Sequence, residues 1–485
     1  MLSSRTSRFI HKFLPIIGTI LLIFAQYLVL AEDDPPPQPA YNENPAFRPN
    51  SVHSNYGFSA EYFRYNYSQT PVIIWWTKAL FPHFNGNTAT IHCDLGTCIS
   101  TTDKKKKRDP ATRGFIFYGT DFRAHETPLP RQPHHEWALL HEESPMNNYI
   151  LSHQPMLQLF NHTGTFRRES DYPLTLQHLP SLSYLTSRDP VPLHEKNRLK
   201  DTAGLASVAY IQSHCGVASD RDSYVQELMK YIKVDSLGKC LHNKELPEEL
   251  QNTLTMEEDG FFSIIANYKF HIAFENGICR DYMTEKLFRP LHLGVVPIYW
   301  GSEAAKDWMP NDHSIILKDD FASPKELAEY ITFLDQNDEE YEKFLEYRQP
   351  GGITNTLLVE EMERRPWGLS SMDEPNFING FECHVCDRIL ERLDAERLHA
   401  ANPGENPPPP PPRLGQYTHM GCPQPTRAVD TQEPSKPGNE WLAFDWVNDF
   451  WGTWDMAMAL KQMIQAGEKD SRKLFDFLEK MHGRH

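Results

Sequence analysis

The chain has 485 residues, of which 40% are hydrophobic, and it carries a formal net charge of −17 at pH 7. This length accommodates two packed domains with additional segments, and the apolar fraction is ordinary for a globular protein. The excess of acidic groups argues against a nucleic-acid partner, because the phosphate backbone repels an acidic surface. A basic run at residues 104–108 interrupts this balance, and we interpret it as a solvated loop.

Residues 13–31 form an uncharged apolar run that follows three basic residues and precedes three acidic ones. At a rise of 1.5 Å per residue, the run comes close to spanning a hydrocarbon core of roughly 30 Å. Positive charge on its N-terminal side predicts a cytosolic tail (1–12) and a lumenal remainder, as in a single-pass type II membrane protein. A cleaved signal peptide is the alternative, although its apolar region is usually shorter. Both interpretations place the rest of the chain in an oxidising lumen, and for the retained anchor we expect the membrane of the endoplasmic reticulum or the Golgi apparatus.

Proline-rich sequence predicts two extended connections, a stem at residues 32–70 and a linker at residues 401–425. Two glycosylation sequons, at Asn66 and Asn161, agree with a lumenal location, although each is a weak signal alone.

Eight cysteines also fit an oxidising compartment. Cys93 and Cys98 lie close enough in sequence to close a short loop, and Cys383 and Cys386 form a CxxC pair. A zinc site or a redox dithiol is the alternative, but neither pair is accompanied by a second zinc-type pair at standard spacing. We therefore expect structural disulfides, with the pairing left open, among Cys93, Cys98, Cys215, Cys240, Cys279, Cys383, Cys386 and Cys422.

Short apolar runs that end in polar loops predict two α/β domains, residues 71–200 and 201–400. Predicted strands cover 71–76, 113–118 and 137–140 in the first domain, and 206–211, 234–238, 270–274 and 295–299 in the second. Helices are predicted at 222–231, 283–293, 324–335 and 388–401. This alternation is typical of parallel sheets, which place their chemistry at the carboxyl ends of the strands. The extension at 426–485 contains four tryptophans, which we expect to pack against the body of the protein.

The most informative passage is residues 270–302. Glu275 follows a predicted strand directly, and Glu285 lies in the first turn of the next predicted helix, so both carboxylates are placed to accept hydrogen bonds from sugar or ribose hydroxyls. Lys286, near the same helix N-terminus, suits a phosphate. Taken alone, Thr284 and Glu285 need no ligand, because such residues are ordinary at a helix start.

The whole passage, however, resembles the donor-binding signature of the alpha-1,3-fucosyltransferase family (glycosyltransferase family ten). Eleven positions fall in register: Phe274, Glu275, Asn276, Asp281, Tyr282, Thr284, Glu285, Lys286, Gly294, Val296 and Pro297. Residues 142–145 (EESP), 160–171 and 213–221 resemble further elements of the same family, so the resemblance extends from about residue 71 to residue 386. This many matches make the signal specific.

The resemblance implies a GT-B fold, in which two Rossmann-like domains face each other and the C-terminal one binds the nucleotide sugar. It implies that GDP-β-L-fucose reacts with inversion, and we expect Glu143 to be the base, with Glu142 as the adjacent alternative. Arg221 and Lys286 are expected to stabilise negative charge on the departing GDP, and Glu285 to contact its ribose. The donor-binding residues implied by the resemblance are Arg221, Glu275, Asn276, Tyr282, Glu285 and Lys286.

A metal-binding DxD motif is a competing interpretation of Asp220-Arg221-Asp222. A match of three residues is expected by chance, and its middle residue is already assigned to the diphosphate, so we predict no catalytic metal and no cofactor.

The acceptor is less constrained by the sequence. After Asp171, the family's usual apolar segment and PYG are replaced by YPLT at residues 172–175. This departure, the sequence HEESPMNN and the long extension look most like a divergent branch of the family, which is linked to fucose transfer onto protein serine or threonine in the endoplasmic reticulum. GlcNAc of an N-glycan is the other expected acceptor. A lumenal pseudoenzyme that binds glycoprotein clients, and an inverting transferase with another nucleotide sugar, are the alternative functions.

Overall fold

The computed structural model describes residues 70–83, 86–252, 256–368, 376–429, 441 and 444–483. The predicted membrane anchor, the predicted stem up to residue 69 and the sequon at Asn66 lie outside these residues. Within the described ranges, no helix combines the length and the apolarity needed to cross a bilayer.

The first half of the chain forms a six-stranded sheet with the order β2-β3-β1-β4-β5-β6. Strands β2 and β3 make an antiparallel hairpin, and all other neighbouring strands pair in parallel. The strands are β1 (Val72–Trp75), β2 (Thr88–His92), β3 (Thr97–Thr101), β4 (Thr112–Tyr118), β5 (Glu136–His141) and β6 (His162–Thr165). Every residue of β1 and β5 is buried, as expected for parallel strands that are covered on both faces.

The second half forms a five-stranded, entirely parallel sheet with the order β11-β10-β9-β7-β8. Its strands are β7 (Val208–Tyr210), β8 (Val234–Ser236), β9 (Phe270–Phe274), β10 (Val296–Trp300) and β11 (Ile316–Leu317). The described α-helices of the whole chain are α1 (Gln154–Leu157), α2 (Leu193–Ala203), α3 (Arg221–Leu228), α4 (Asp259–Ala266), α5 (Glu285–Leu293), α6 (Pro324–Gln336), α7 (Asp338–Lys343), α8 (Thr356–Arg364), α9 (Phe377–Ala401), α10 (Trp446–Gln465) and α11 (Leu474–Met481).

These elements confirm the predicted α/β class with parallel sheets. Seven of the strands were predicted to within a few residues. Strands β2, β3 and β6 were missed because they are rich in threonine and histidine rather than in apolar residues, and β11 was missed because it has only two residues. The basic run was expected to be a loop, but Lys104–Arg108 forms a short 3₁₀ helix. The side chain of Asp103 caps this helix by accepting a hydrogen bond from the backbone N–H of Lys105.

Helix α9 packs against β4 and β5 of the first sheet, although the sequence assigned most of its residues to the second domain. Two disulfides fasten it there, Cys93–Cys383 and Cys98–Cys386. The short loop suggested by the spacing of Cys93 and Cys98 is therefore not closed by a disulfide. Residues three apart lie on one face of a helix, so both cysteines of the CxxC pair reach the β2–β3 hairpin together.

The C-terminal extension completes the core beneath the first sheet. Helix α10 packs on α1, and its residues Ala457, Leu460 and Met463 share one apolar cluster with Leu157 and Phe160. The four tryptophans are not equally buried, since Trp441 is 9% exposed and Trp454 is 36% exposed. The extension is thus mainly a structural part of the first half of the chain.

An extended segment, residues 413–429, connects both halves of the chain. The backbone N–H of Gly415 donates to the carbonyl of Phe160, which precedes β6. Further along, Cys422 forms a disulfide with Cys279, which lies in the loop after β9. The backbone N–H of Ala428 then donates to Asp220 Oδ2 at 3.1 Å, just before α3. The fourth disulfide, Cys215–Cys240, joins the loops after β7 and β8.

Candidate active site

Two glutamates follow the carboxyl end of β5, where parallel sheets place functional residues. Tyr118, at the end of the neighbouring strand β4, donates its hydroxyl to Glu142 Oε1 at 3.0 Å. Tyr282, from the loop that precedes α5, donates its hydroxyl to Glu143 Oε2 at 3.1 Å. Glu142 is therefore held by the first sheet, whereas Glu143 faces the predicted donor-binding segment.

Burial raises the pKa of Glu142 to about 6, although hydrogen bonds from its own backbone and from Tyr118 oppose this effect. Its second carboxylate oxygen, Oε2, is buried and has no hydrogen-bond partner among the described residues. A carboxylate with a pKa near neutrality accepts a proton more readily than an exposed one. Glu142 therefore has the ionisation expected of a general base, whereas Glu143 has the more suitable position.

The residue after this glutamate pair joins the first half of the chain to the second. Ser144 donates its hydroxyl to Asn276 Oδ1 at 3.1 Å. The backbone carbonyl of Asn276 in turn accepts a hydrogen bond from the backbone N–H of Ser219 at 3.1 Å. A Cβ atom on Gly277 would lie 3.1 Å from the Ser144 hydroxyl, so a larger residue would crowd this contact. Asn276 thus connects three loops, each of which follows a strand.

Glu275 is fully buried directly after β9. Thr284 donates to its carboxylate twice, from the backbone N–H at 2.8 Å and from the hydroxyl at 2.9 Å. Burial raises the pKa of Glu275 to about 7, although Lys286 opposes this effect. The ammonium of Lys286 lies 3.7 Å from Glu275 Oε2. Glu275 therefore orders the start of α5 from within the protein.

The first residues of α5 carry opposite charges. Thr284 caps the helix by accepting a hydrogen bond from the backbone N–H of Lys286. Lys286 Nζ lies 3.1 Å from Glu285 Oε1. Although burial works against the charged form, Lys286, His178 and Arg289 hold the pKa of Glu285 well below its usual range. A helix N-terminus beside an ammonium is a chemical environment that suits an anionic phosphate.

Arg221 lies at the N-terminus of α3 and is 2% exposed. Its Nη1 donates to the carbonyl of Phe274 and its Nη2 to the carbonyl of His214, each at 2.9 Å. Its Nε has no hydrogen-bond partner among the described residues. Arg221 therefore links the end of β9, at Phe274, to the loop that follows β7.

The DxD string does not present two free carboxylates. Asp220 accepts hydrogen bonds from the Ser223 hydroxyl and from a backbone N–H. Asp222 accepts from the Tyr210 hydroxyl at 2.6 Å and from the backbone N–H of Gly216 at 3.1 Å. Among the described residues, Asp222 also lies near Cys215 and Cys240, but those two sulfur atoms form a disulfide and offer no thiolate ligand.

Two residues at the site were missed by the sequence interpretation. Arg168 forms a bidentate ion pair with the buried Asp281, through Nη2 at 2.5 Å and Nε at 2.9 Å. His178 Nδ1 lies 3.7 Å from Glu285 Oε2. In each of these two pairs, the residues are more than 100 positions apart along the chain. The positive charge of Arg168 within the family-like stretch 160–171 was the only available signal, and His178 lay outside every motif.

Asn161, the described sequon, is 3% exposed. Its Oδ1 accepts hydrogen bonds from the backbone N–H of Trp137 at 2.9 Å and from Arg131 at 2.6 Å. Its Nδ2, the atom that a glycan would modify, donates to the carbonyl of Arg413 at 2.9 Å. This environment leaves no room for a glycan in the folded protein.

Comparisons with known proteins identify relatives of the chain. The profile "Fucosyltransferase, N-terminal" matches residues 68–177, and the profile "Glycosyltransferase family 10 (fucosyltransferase) C-term" matches residues 202–399. The chain is 43% identical over 418 residues to "GDP-fucose protein O-fucosyltransferase 3" of Gallus gallus, covering 86% of this chain and 83% of that protein. It is 42% identical over 407 residues to the protein of the same name from Homo sapiens, covering 84% of this chain and 82% of that protein.

Among solved structures, the chain is similar to one described as "Crystal Structure of alpha1,3-Fucosyltransferase with GDP-fucose". The match has 16% sequence identity and a TM-score of 0.37, and it covers 67% of this chain and 92% of the other. The two family profiles, together with relatives that are more than 40% identical over most of their length, establish the family. The chain belongs to glycosyltransferase family 10, the fucosyltransferases.

Proposed function

We propose that the chain transfers L-fucose from GDP-fucose, with inversion, to a serine or threonine hydroxyl of a protein. Membership of a fucosyltransferase family supports the reaction. The names of the relatives, which are protein O-fucosyltransferases, support the donor and the acceptor class. The observation that carries the proposal is the hydrogen bond between Tyr282 and Glu143, because it joins a candidate base to the donor-binding segment.

The donor side of the reaction is assigned to the start of α5. Its N-terminus and the ammonium of Lys286 attract the diphosphate, and Glu285 is placed for the ribose. Tyr282, Asn276 and the buried Glu275 hold the surrounding loop in place. As the bond between fucose C1 and the diphosphate oxygen breaks, negative charge grows on GDP, and Lys286 stabilises it. Arg221 supports this loop through the carbonyl of Phe274.

The acceptor side is assigned to the loop after β5. Inversion needs one base on the face opposite the leaving group, and Glu143 is the carboxylate that faces the donor segment. Glu143 removes the proton of the incoming hydroxyl while the oxygen of that hydroxyl bonds to fucose C1. Glu142 is the alternative, because it is the adjacent carboxylate and burial raises its pKa to about 6. The reaction uses no divalent cation in this account, since both DxD carboxylates serve structural hydrogen bonds.

The same proposal includes a lumenal location. Four disulfides stabilise the described residues, which favours an oxidising compartment. The apolar run at residues 13–31 then serves as a type II signal-anchor in the membrane of the endoplasmic reticulum or the Golgi apparatus.

A matched pair of variants tests the assignment of the base. Glu143→Gln is expected to lower kcat by about 10² to 10⁴-fold and to leave GDP binding intact. Glu142→Gln, the same substitution at the adjacent glutamate, is expected to lower kcat far less. Both are assayed with GDP-fucose against folded protein domains and against N-glycans that end in GlcNAc. The opposite ranking would make Glu142 the base, and transfer only to N-glycans would contradict the proposed acceptor.

A further inference from the structure

His178 lies in a segment that the surrounding structure holds firmly. Leu176 and Leu179 on either side are 2% and 0% exposed, and both belong to the apolar cluster that contains Leu287 of α5. Leu176 has a φ of 64°, a conformation that costs energy for a branched residue and persists only where neighbours impose it. Arg365 fixes the segment further by donating to the carbonyl of Leu179 at 2.9 Å.

This segment presents the imidazole of His178 to the start of α5. Its Nδ1 lies 3.7 Å from Glu285 Oε2, and the His178 side chain is 32% exposed, so the ring is accessible from one side. Lys286, Glu143 and Glu257 are further charged groups that act on its protonation. His178 thus lies where the candidate base and the candidate diphosphate site meet.

In the free protein, the start of α5 has little unpaired positive charge with which to bind a diphosphate. The ammonium of Lys286 lies 3.1 Å from Glu285 Oε1 and 3.7 Å from Glu275 Oε2, so its positive charge is already paired within the protein. The Nη groups of Arg221 are engaged by backbone carbonyls. A bound diphosphate therefore benefits from an additional positive charge, and histidine is the side chain that can gain one near neutral pH.

We propose that His178 is a nucleotide-binding residue that faces the diphosphate and takes up one proton from solvent when GDP-fucose or GDP binds. This inference rests on the proposed function. In the free protein, burial lowers the pKa of His178 below its usual value, although Glu285 opposes this effect, so the ring is neutral at pH 7. The adjacent anion raises the pKa in the complex, and the proton returns to solvent when GDP leaves.

The sign of the resulting pH dependence follows from linkage. GDP binding strengthens as pH falls from the pKa of His178 in the complex towards its lower pKa in the free protein. The gain is about tenfold for each unit that separates these two pKa values. GDP itself loses negative charge below pH about 6, which weakens binding to every variant equally. The informative quantity is therefore the ratio of the Kd of a variant to the Kd of the wild type at each pH.

Titration calorimetry of the full-length chain with GDP, between pH 6 and pH 8 and in buffers of different ionisation enthalpy, measures both affinity and proton uptake. For His178→Gln, we expect the Kd ratio to rise about fivefold or more from pH 8 to pH 6, with proton uptake lost. His178→Lys carries a permanent charge and is expected to keep wild-type affinity at pH 6 without the uptake. His194→Gln, an exposed position on α2, is the matched control and should behave as the wild type.

Guanosine, which lacks the diphosphate, separates the two parts of the ligand. His178→Gln should leave guanosine binding unchanged. Equal weakening of guanosine and GDP would overturn the assignment to the diphosphate, and a pH-independent Kd ratio would overturn the proton uptake. If the wild type itself binds no GDP, the proposed function fails as well, so the two failures are distinguishable. Melting temperatures establish that each variant is folded, and the lysine variant keeps the test valid if the glutamine variant unfolds.

Discussion

Replacing Asp281 by asparagine tests how the two halves of the chain are held together at the site. The side chain of Asp281 is fully buried and forms a bidentate pair with Arg168, while Trp308 donates its indole N–H to Oδ1 at 2.9 Å. Asparagine has the same shape, tolerates the left-handed backbone at φ 61° and can still accept the indole hydrogen bond. The substitution therefore removes the charge and replaces Oδ2, which accepts from the backbone N–H and the Nε of Arg168, by an amide donor.

The expected loss of stability follows from burial. Breaking a buried ion pair costs about 3–5 kcal/mol, because the remaining charge is uncompensated. Arg168 is 22% exposed, and water recovers part of this cost, so we expect about 3 kcal/mol. Asp307 provides a matched control, because it pairs with the same arginine at 2.8 Å but is 43% exposed. Asp307→Asn should cost about 0.5 kcal/mol, as for a surface pair.

Urea unfolding of both variants, compared at constant m value, measures this difference. Arg168 holds the pKa of Asp281 below its usual value, although burial opposes it. The contribution of this aspartate is therefore complete above its unfolded pKa of about 3.9 and is lost as pH falls through the lower folded value. The difference in the free energy of unfolding between the wild type and Asp281→Asn should stay constant from pH 5 to pH 8. Equal losses in the two variants would refute the argument from burial.

Three further predictions concern other buried groups. Burial raises the pKa of Glu275 to about 7, so the native protein retains a proton that the unfolded chain releases, and stability should fall as pH rises from 5 to 7. Glu275→Gln should flatten this fall, measured as melting temperature against pH. An unchanged slope of melting temperature against pH would contradict the prediction. Replacing Cys279 and Cys422 by serine should lower the free energy of unfolding by about 5 kcal/mol, because the disulfide spans 143 positions. An unaltered melting temperature under non-reducing conditions would count against this prediction. Asn161→Gln should leave the glycan mass of the secretory-pathway protein unchanged, since Nδ2 is buried, and the loss of one glycan would show otherwise.

The sequence predicted the strand and helix of residues 270–293 well, because local patterning determines both elements. Strand β9 matches the predicted bounds of 270–274, and helix α5 begins at Glu285, two residues after its predicted start. Local patterning and a dense motif were sufficient there, since no distant contact had to be inferred.

The remaining parts of the site depend on contacts between distant positions. Arg168 and Asp281 are 113 residues apart, and Cys93 and Cys383 are separated by 290, so neither pair can be inferred from spacing. His178 lies just after the stretch 172–175 that departs from the family pattern, and its charge environment arises only when its segment packs against α5. Tertiary packing, not local propensity, determines these parts.

The central claim is that the start of α5 binds the diphosphate of GDP-fucose and that fucose transfer follows without a divalent cation. Transfer of labelled fucose to a folded protein acceptor, measured in EDTA with the full-length chain, tests it most directly. We predict transfer by the wild type and by the exposed control Lys325→Ala, and at least about a hundredfold less by Lys286→Ala. Lack of transfer by the wild type in the presence of GDP binding would indicate a pseudoenzyme, and full activity of Lys286→Ala would contradict the assigned site.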